Sequence, residues 1–267
     1  MTKPLKFLFI ICIALITSCS QEDDKVLSGY IEGENTYVST GITGTLVDLK
    51  VQRGQIVKKN DLLFTLDPEP DKSAMEAAQA NVEELEAEVE LAKVQLGRFK
   101  KLYTKNATDK STLDQKQTDH EAKQKRLAAA KEQLAEAKWA FHQKTVYAPV
   151  SGIIFDTFYR KGEKVIANQP ALAILAPQNI KVLFFIPEQQ LSSIKIGQTI
   201  YFNCDGCKEA TKAKITYISP EAEYTPPIIY AEKTRYKLVF LARARLPLET
   251  ALNFRPGQPL EVYLNEP

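Results

Sequence analysis

The residues with the most reactive side chains are few: four cysteines and two histidines in 267 residues. Cys204 and Cys207 stand in Asn203-Cys204-Asp205-Gly206-Cys207, between two β-like runs. Three chemistries suit such a pair: a disulfide closing a tight turn, a redox-active dithiol, or half of a metal site. The redox reading needs a helix N-terminus to lower a thiol pKa, and the local sequence offers none. The metal reading needs two further ligands, yet His120 and His142 belong to a distant helical stretch. A disulfide is therefore the expectation, with no metal. No Gly-rich loop ends in Lys and Ser or Thr, and no nucleophile elbow or paired histidine and nucleophile is present. No catalytic residue and no cofactor site is read, so energy for any work must come from a partner.

The remaining cysteines lie at the start. Lys3 and Lys6 precede an apolar run from Phe7 to Ile16, about ten residues, too short to cross a bilayer that needs about 20. Ile16-Thr17-Ser18-Cys19 follows, and it resembles a bacterial lipoprotein signal, in which an aliphatic residue and two small ones lead to the cysteine that becomes lipidated. That resemblance implies export, an acylated Cys19 as the first mature residue, and removal of Cys12 with the signal. Several acyl chains hold a protein firmly, where one alone does not. In an oxidising compartment Cys204 and Cys207 remain as an even pair. Ser20 follows Cys19; enterobacterial lipoproteins kept in the inner membrane carry Asp there, so this residue leaves the outer membrane open, and the inner-membrane placement that is expected comes from docking on a partner there.

What must position everything else is a long charged stretch in the middle of an otherwise β-like chain. Met75, Ala78, Val82, Leu85, Val89, Ala92, Leu96, Phe99 and Tyr103 recur at alternating steps of three and four, a heptad seam. After turn formers at 104–111, a second seam runs through Leu113, Leu127, Ala130, Leu134, Ala137 and Phe141, with Lys116, His120 and Lys123 at its weaker positions. Two such runs with so short a break return on each other as an antiparallel hairpin. Met75 then meets Phe141 at the base and Tyr103 meets Leu113 at the far end, and Asp71 or Ser73 is expected to cap the first helix. Each arm is roughly 45 to 50 Å long at about 1.5 Å per residue. A rod of that shape is a reach or an assembly surface. The net charge of only +2 leaves no nucleic-acid footprint.

The flanks repeat each other. Residues 44–66 align without gaps on 152–174, with identities at Gly44/Gly152, Asp48/Asp156, Gly54/Gly162, Val57/Val165 and Asn60/Asn168. Gly54 and Gly162 each follow a cation, at turns that call for positive φ. Each half is too small to bury a core; facing each other they make one small sandwich. From Ile180 onward short runs between Pro and Gly turns predict a small antiparallel barrel.

These halves resemble the two parts of a lipoyl-like or biotinyl-like domain. Split by a helical hairpin, with Tyr147-Ala148-Pro149-Val150-Ser151-Gly152 and Lys161-Gly162-Glu163 in the second half, the chain is similar to the HlyD family of periplasmic adaptors, also called membrane fusion proteins. The segments Ile218 to Pro226 and Lys237 to Phe240 resemble the barrel of adaptors that serve ABC-type exporters. The resemblance implies an α+β fold: an antiparallel α-helical coiled-coil hairpin (69–144) inserted into a split lipoyl-like β-sandwich (40–68 and 145–176), then a small β-barrel (177–267). Residues 1–19 are the signal, and 20–39 a linker and a strand given to the barrel. A fourth, membrane-proximal domain of some relatives is expected to be missing or reduced.

The same resemblance implies an inner-membrane ABC-type transporter and an outer-membrane channel as partners, and a homo-oligomeric ring. In the family the hairpin tip carries Arg, a Leu four residues on and a Ser seven further; Arg98 and Leu102 match, and Asp109 replaces the Ser. Leu91 and Val94 lie off the seam on the same side and are candidates for packing hairpins side by side. Lys72 is similar in setting to the modified lysine of lipoyl carriers, but it falls in a helix's first turn. A carrier subunit and a structural envelope lipoprotein with a coiled-coil spacer are the alternatives; mass spectrometry of Lys72 tests the first, and an unchanged export phenotype on deletion favours the second.

Overall fold

The computed structural model describes residues 26–207, 209–224 and 238–266. In chain order the elements are β1 Val26–Val38, β2 Gly44–Leu49, β3 Ile56–Val57, β4 Leu62–Leu66, α1 Glu69–Thr104, α2 Lys110–His142, β5 Thr145–Tyr147, β6 Gly152–Thr157, β7 Lys164–Val165, β8 Leu172–Pro187, α3 Glu188–Leu191, β9 Thr199–Asn203, β10 Thr211–Tyr224, β11 Leu238–Arg245, α4 Leu248–Ala251 and β12 Pro259–Tyr263. The chain divides into two compact units, Glu34–Ala176 and, in the second, the chain up to Gly33 with Pro177 onward. β1 takes part in both, its residues up to Gly33 in the second unit and Val38 in the core of the first.

The first unit is a sandwich whose two halves exchange strands. β2 pairs with β7 through Gly44 and Val165, and β3 pairs with β6 through Val57 and Gly152. Under the repeat these are the same pair of positions. The Leu46 amide donates to the Glu163 carbonyl and the Ile154 amide to the Gln55 carbonyl, both at 2.8 Å, again one bond seen twice. The bulge between Leu46 and Asp48 on β2 recurs between Ile154 and Asp156 on β6. Gly54 and Gly162 take φ of 84° and 93°, and Asn60 and Asn168 take 71° and 62°, the left-handed region open to Gly and Asn. The symmetry reaches beyond the stretch visible in the sequence: Asn60 donates to Ala148 as Asn168 donates to Thr40, and Val38 and Val146 both enter the core. That core contains Leu46, Leu63, Phe64, Leu66, Ile154, Leu172 and Ile174 and no residue of α1 or α2.

Helix α1 starts earlier than a side-chain cap predicts. Its N-cap is Pro68, which offers no cap bond, with Pro70 in the first turn, where a missing amide hydrogen costs nothing. The Asp67 carboxylate accepts from the Glu69 amide at 3.2 Å, so neither Asp71 nor Ser73 is the cap. The seam packs best through the middle of the hairpin: Val82, Ala130 and Leu134 are buried together, with Met75, Ala78, Leu85 and Leu127 against them, and Ala92 and Leu96 are buried farther along α1. Lys131–Glu86 at 2.8 Å and Lys123–Glu88 at 3.7 Å bridge the arms. Toward the tip the seam is thinner: the Lys116 ammonium stands 5.6 Å from the centre of the Phe99 ring, and Tyr103 is 41 % exposed.

In the second unit the strands run β1-β12-β9-β10-β11-β8, and β1 pairs with β8 as well, so six strands close on themselves. Burial alternates as one-sided strands require: on β9 Ile200 and Phe202 are buried between Thr199, Tyr201 and Asn203.

Candidate functional site

The hairpin base is held by the most buried charge in the described residues. Lys144 is 5 % exposed and pairs with Asp71 at 2.8 Å, its ammonium also lying 3.4 Å from the Thr43 carbonyl. Asp71 is therefore occupied in joining the first turn of α1 to the turn between α2 and β5. The Thr40 hydroxyl donates to the Gln143 carbonyl at 3.1 Å, and the Trp139 ring lies close over Gly41. The rod is clamped to the sandwich on both arms.

At the other end Lys105 closes α1 and Asn106 turns the chain at φ 55°. Asp109 is the N-cap of α2, its carboxylate accepting the Thr112 amide and hydroxyl, both at 2.8 Å. Those two bonds, the backbone one first, hold the Asp109 carboxyl below its ordinary pKa. Because the folded value is lowered, the cap is intact above the unfolded carboxylate pKa, and its stabilisation is lost as pH falls through the folded value. Asp109→Ala is expected to fray the first turn of α2 and to speed hydrogen exchange of the Thr112 amide while leaving Ala130 protected.

Of the tip residues read from the sequence, Arg98 is exposed, Leu102 half-buried and Asp109 exposed. Leu91 at 56 % and Val94 at 49 % exposure fall on the same stripe of α1 as Arg98 and Leu102. Arg98, Lys100, Lys101, Lys105 and Lys110 give the tip a cationic surface that the sequence reading did not single out. Lys72 is exposed in the first turn of α1, its amide bonded to the Pro68 carbonyl, a helical setting unlike a carrier's strand turn. Cys204 and Cys207 form a disulfide across the turn with Gly206 at φ 82°, Cα atoms 5.2 Å apart. Cys19 and Ser20 lie outside the described residues. Among the described residues no group of three or more His, Cys, Asp or Glu is placed to hold a metal, and no helix is long and apolar enough to cross a membrane.

A sandwich interrupted by a hairpin is what the comparisons with known proteins also find. The family description "RND MFP, barrel-sandwich hybrid domain" matches residues 34–176. The chain belongs to the membrane fusion proteins, the periplasmic adaptor family. It is 25 % identical over 234 residues to YdhJ of Escherichia coli K12, covering 86 % of this chain and 81 % of that one. It is 24 % identical over 300 residues to the membrane protein YbhG of Salmonella paratyphi B, covering 92 % and 90 %. Among solved structures, the membrane fusion protein Spr0693 of Streptococcus pneumoniae R6 shares the fold at a TM-score of 0.65 and 15 % identity, over 91 % of this chain and 99 % of that one. MacA of Actinobacillus actinomycetemcomitans does so at 0.62 and 23 %, over 89 % and 76 %.

Proposed function

We propose that this chain is the adaptor subunit of an ABC-type efflux or secretion system, bridging an inner-membrane transporter to an outer-membrane channel. The observation that carries this reading is the rod clamped at its base to a two-fold β module, which has the shape of a spacer. The ABC assignment draws on the barrel strands Ile218 to Tyr224 and Leu238 to Phe240, which resemble those of adaptors for such exporters; Thr225, Pro226 and Lys237 of that resemblance lie outside the described residues. Cys19 is the lipidated residue and anchors the chain in the inner membrane. Arg98 and Leu102, with Asp109 fixing the turn beside them, contact the channel, and Leu91 and Val94 pack neighbouring hairpins in a ring. The work is bridging and sealing.

Photoreactive residues placed at Arg98 and at Leu91 in intact cells test this. The Arg98 probe should capture an outer-membrane protein and the Leu91 probe a second copy of the chain. Arg98→Asp should abolish export with the fold and anchoring unchanged. Full export by that variant, with no capture from position 98, would remove the tip from the mechanism.

A further inference from the structure

The outward face of β9, β10 and β11 carries a cation cluster that bridging by the hairpin does not use. The registers set Lys214 directly opposite Arg245, and Lys212 opposite Tyr201, whose ring centre lies 5.4 Å from the Lys212 ammonium. All three cations are exposed. Among the described residues neither Lys214 nor Arg245 forms an ion pair. Like charges directly opposite on neighbouring strands repel, so an anion bound between them would relieve the pair. The three line one open groove of about 400 Å³ with Thr199, Thr216 and Pro247.

Two aliphatic side chains flank the cations. Ile196 is 65 % exposed in the turn before β9, where a Cβ on the adjacent Gly197 would lie 4.0 Å from the Lys214 side chain. Leu248 is 57 % exposed and follows Pro247 of the groove. A soluble anion has no use for such neighbours, whereas cations rimmed by exposed aliphatics suit the boundary between phosphate headgroups and acyl chains.

The chain ahead of β1 limits how far this face sits from a bilayer. From Cys19 to Val26 there are seven residue steps, at most about 25 Å when fully extended. Val26, Tyr263, Tyr201 and Lys212 are successive partners across three strand pairs, so Lys212 lies about 14 Å across the sheet from the tether's entry at about 4.8 Å per strand.

We infer that the face formed by Lys212, Lys214 and Arg245 binds the surface of an anionic phospholipid bilayer, with Ile196 and Leu248 entering the interfacial layer. This rests on the reading of Cys19 as the lipidated residue. Full-length protein purified from membranes is added to preformed vesicles of phosphatidylcholine, with or without phosphatidylglycerol. Lysines are then acetylated by a water-soluble reagent, and each site is quantified by mass spectrometry, the N-terminal peptide reporting acylation of Cys19. Labelling of Lys212 and Lys214 should fall roughly fivefold or more on anionic vesicles, a cation near such a surface contributing about that factor. Labelling of Lys110 at the hairpin tip should not change. High salt, or Arg245→Glu, should return Lys214 to its labelling on neutral vesicles. Equal labelling on both vesicles with Cys19 acylated overturns the inference and leaves the cluster for an acidic protein. An unacylated Cys19 refutes the anchor instead; co-sedimentation of that protein with phosphatidylglycerol vesicles alone would still support the lipid face, and no co-sedimentation would overturn it.

Discussion

Gly152→Ala is expected to destabilise the sandwich by about 3 kcal/mol, with Gly44→Ala costing clearly less although the two positions are equivalent in the repeat. A Cβ at Gly152 would fall inside contact of the Leu175 carbonyl and 2.9 Å from Ile174 Cγ2. A carbonyl in a paired strand cannot step aside, because β6 and β8 are joined through Ile153 and Leu175. At Gly44 the nearest atoms are the Leu66 side chain and the Lys144 ammonium, each at 3.1 Å, and both can give. For a chain of this size the first change should lower the melting temperature by roughly 6 to 12 °C. Equal effects at the two glycines would show that the close approach of the Leu175 carbonyl does not set the cost.

Asp71→Ala should cost about 3 kcal/mol, the usual penalty for stranding one member of a buried pair. The Lys144 ammonium would keep only the Thr43 carbonyl, 3.4 Å away, in a place where the side chain is 6 % exposed. Lys144→Met should cost less, since the Asp71 side chain is 26 % exposed and water can reach the carboxylate it leaves. The double variant Asp71→Leu with Lys144→Met should regain most of the loss. Chemical denaturation of the four proteins reads this cycle. An additive double variant would mean that the clamp is packing, with the charges incidental. Because the pair joins the hairpin to the strands, Asp71→Ala should also speed exchange of the amides in the first turns of α1 before those of Val82.

The repeat was legible because its glycines and asparagines sit where left-handed or crowded backbone admits little else, and because a gap-free offset preserves every pairing, bulge included. The heptad seam was legible through the middle of the hairpin, where Val82, Ala92, Leu96, Ala130 and Leu134 are buried, and less so in the last turns before the tip, where Lys116 and Tyr103 leave the register weakly packed. What the residues did not disclose is long-range polar pairing. Asp71 reads as a cap until Lys144 is brought beside it from across the hairpin, and the capping bond of the Asp109 carboxylate to the Thr112 amide has no signal in the reading of Asp109 as a tip residue. Gly44 and Gly152 read only as an identity of the repeat, yet they stand in strands where another strand or side chain comes close. The closure of six strands depends on β1 meeting β8, far apart in sequence and without a local signal.

The claim on which the rest stands is that the rod is an insertion into an already complete β module. Thr65 and Thr145 are register partners, so the chain can be closed over the gap, and the sandwich core borrows nothing from the hairpin. The direct measurement is thermal unfolding of a chain in which residues 67–143 are replaced by Asn-Gly, a pair that suits a two-residue β-turn, between Leu66 and Lys144, whose backbones are already joined by a 2.8 Å bond from the Leu66 amide to the Lys144 carbonyl. A cooperative transition with a β-sheet circular dichroism spectrum is the predicted result. A spectrum of unfolded chain, with no transition, would contradict it and would mean that the two halves meet only because the helices bring them together.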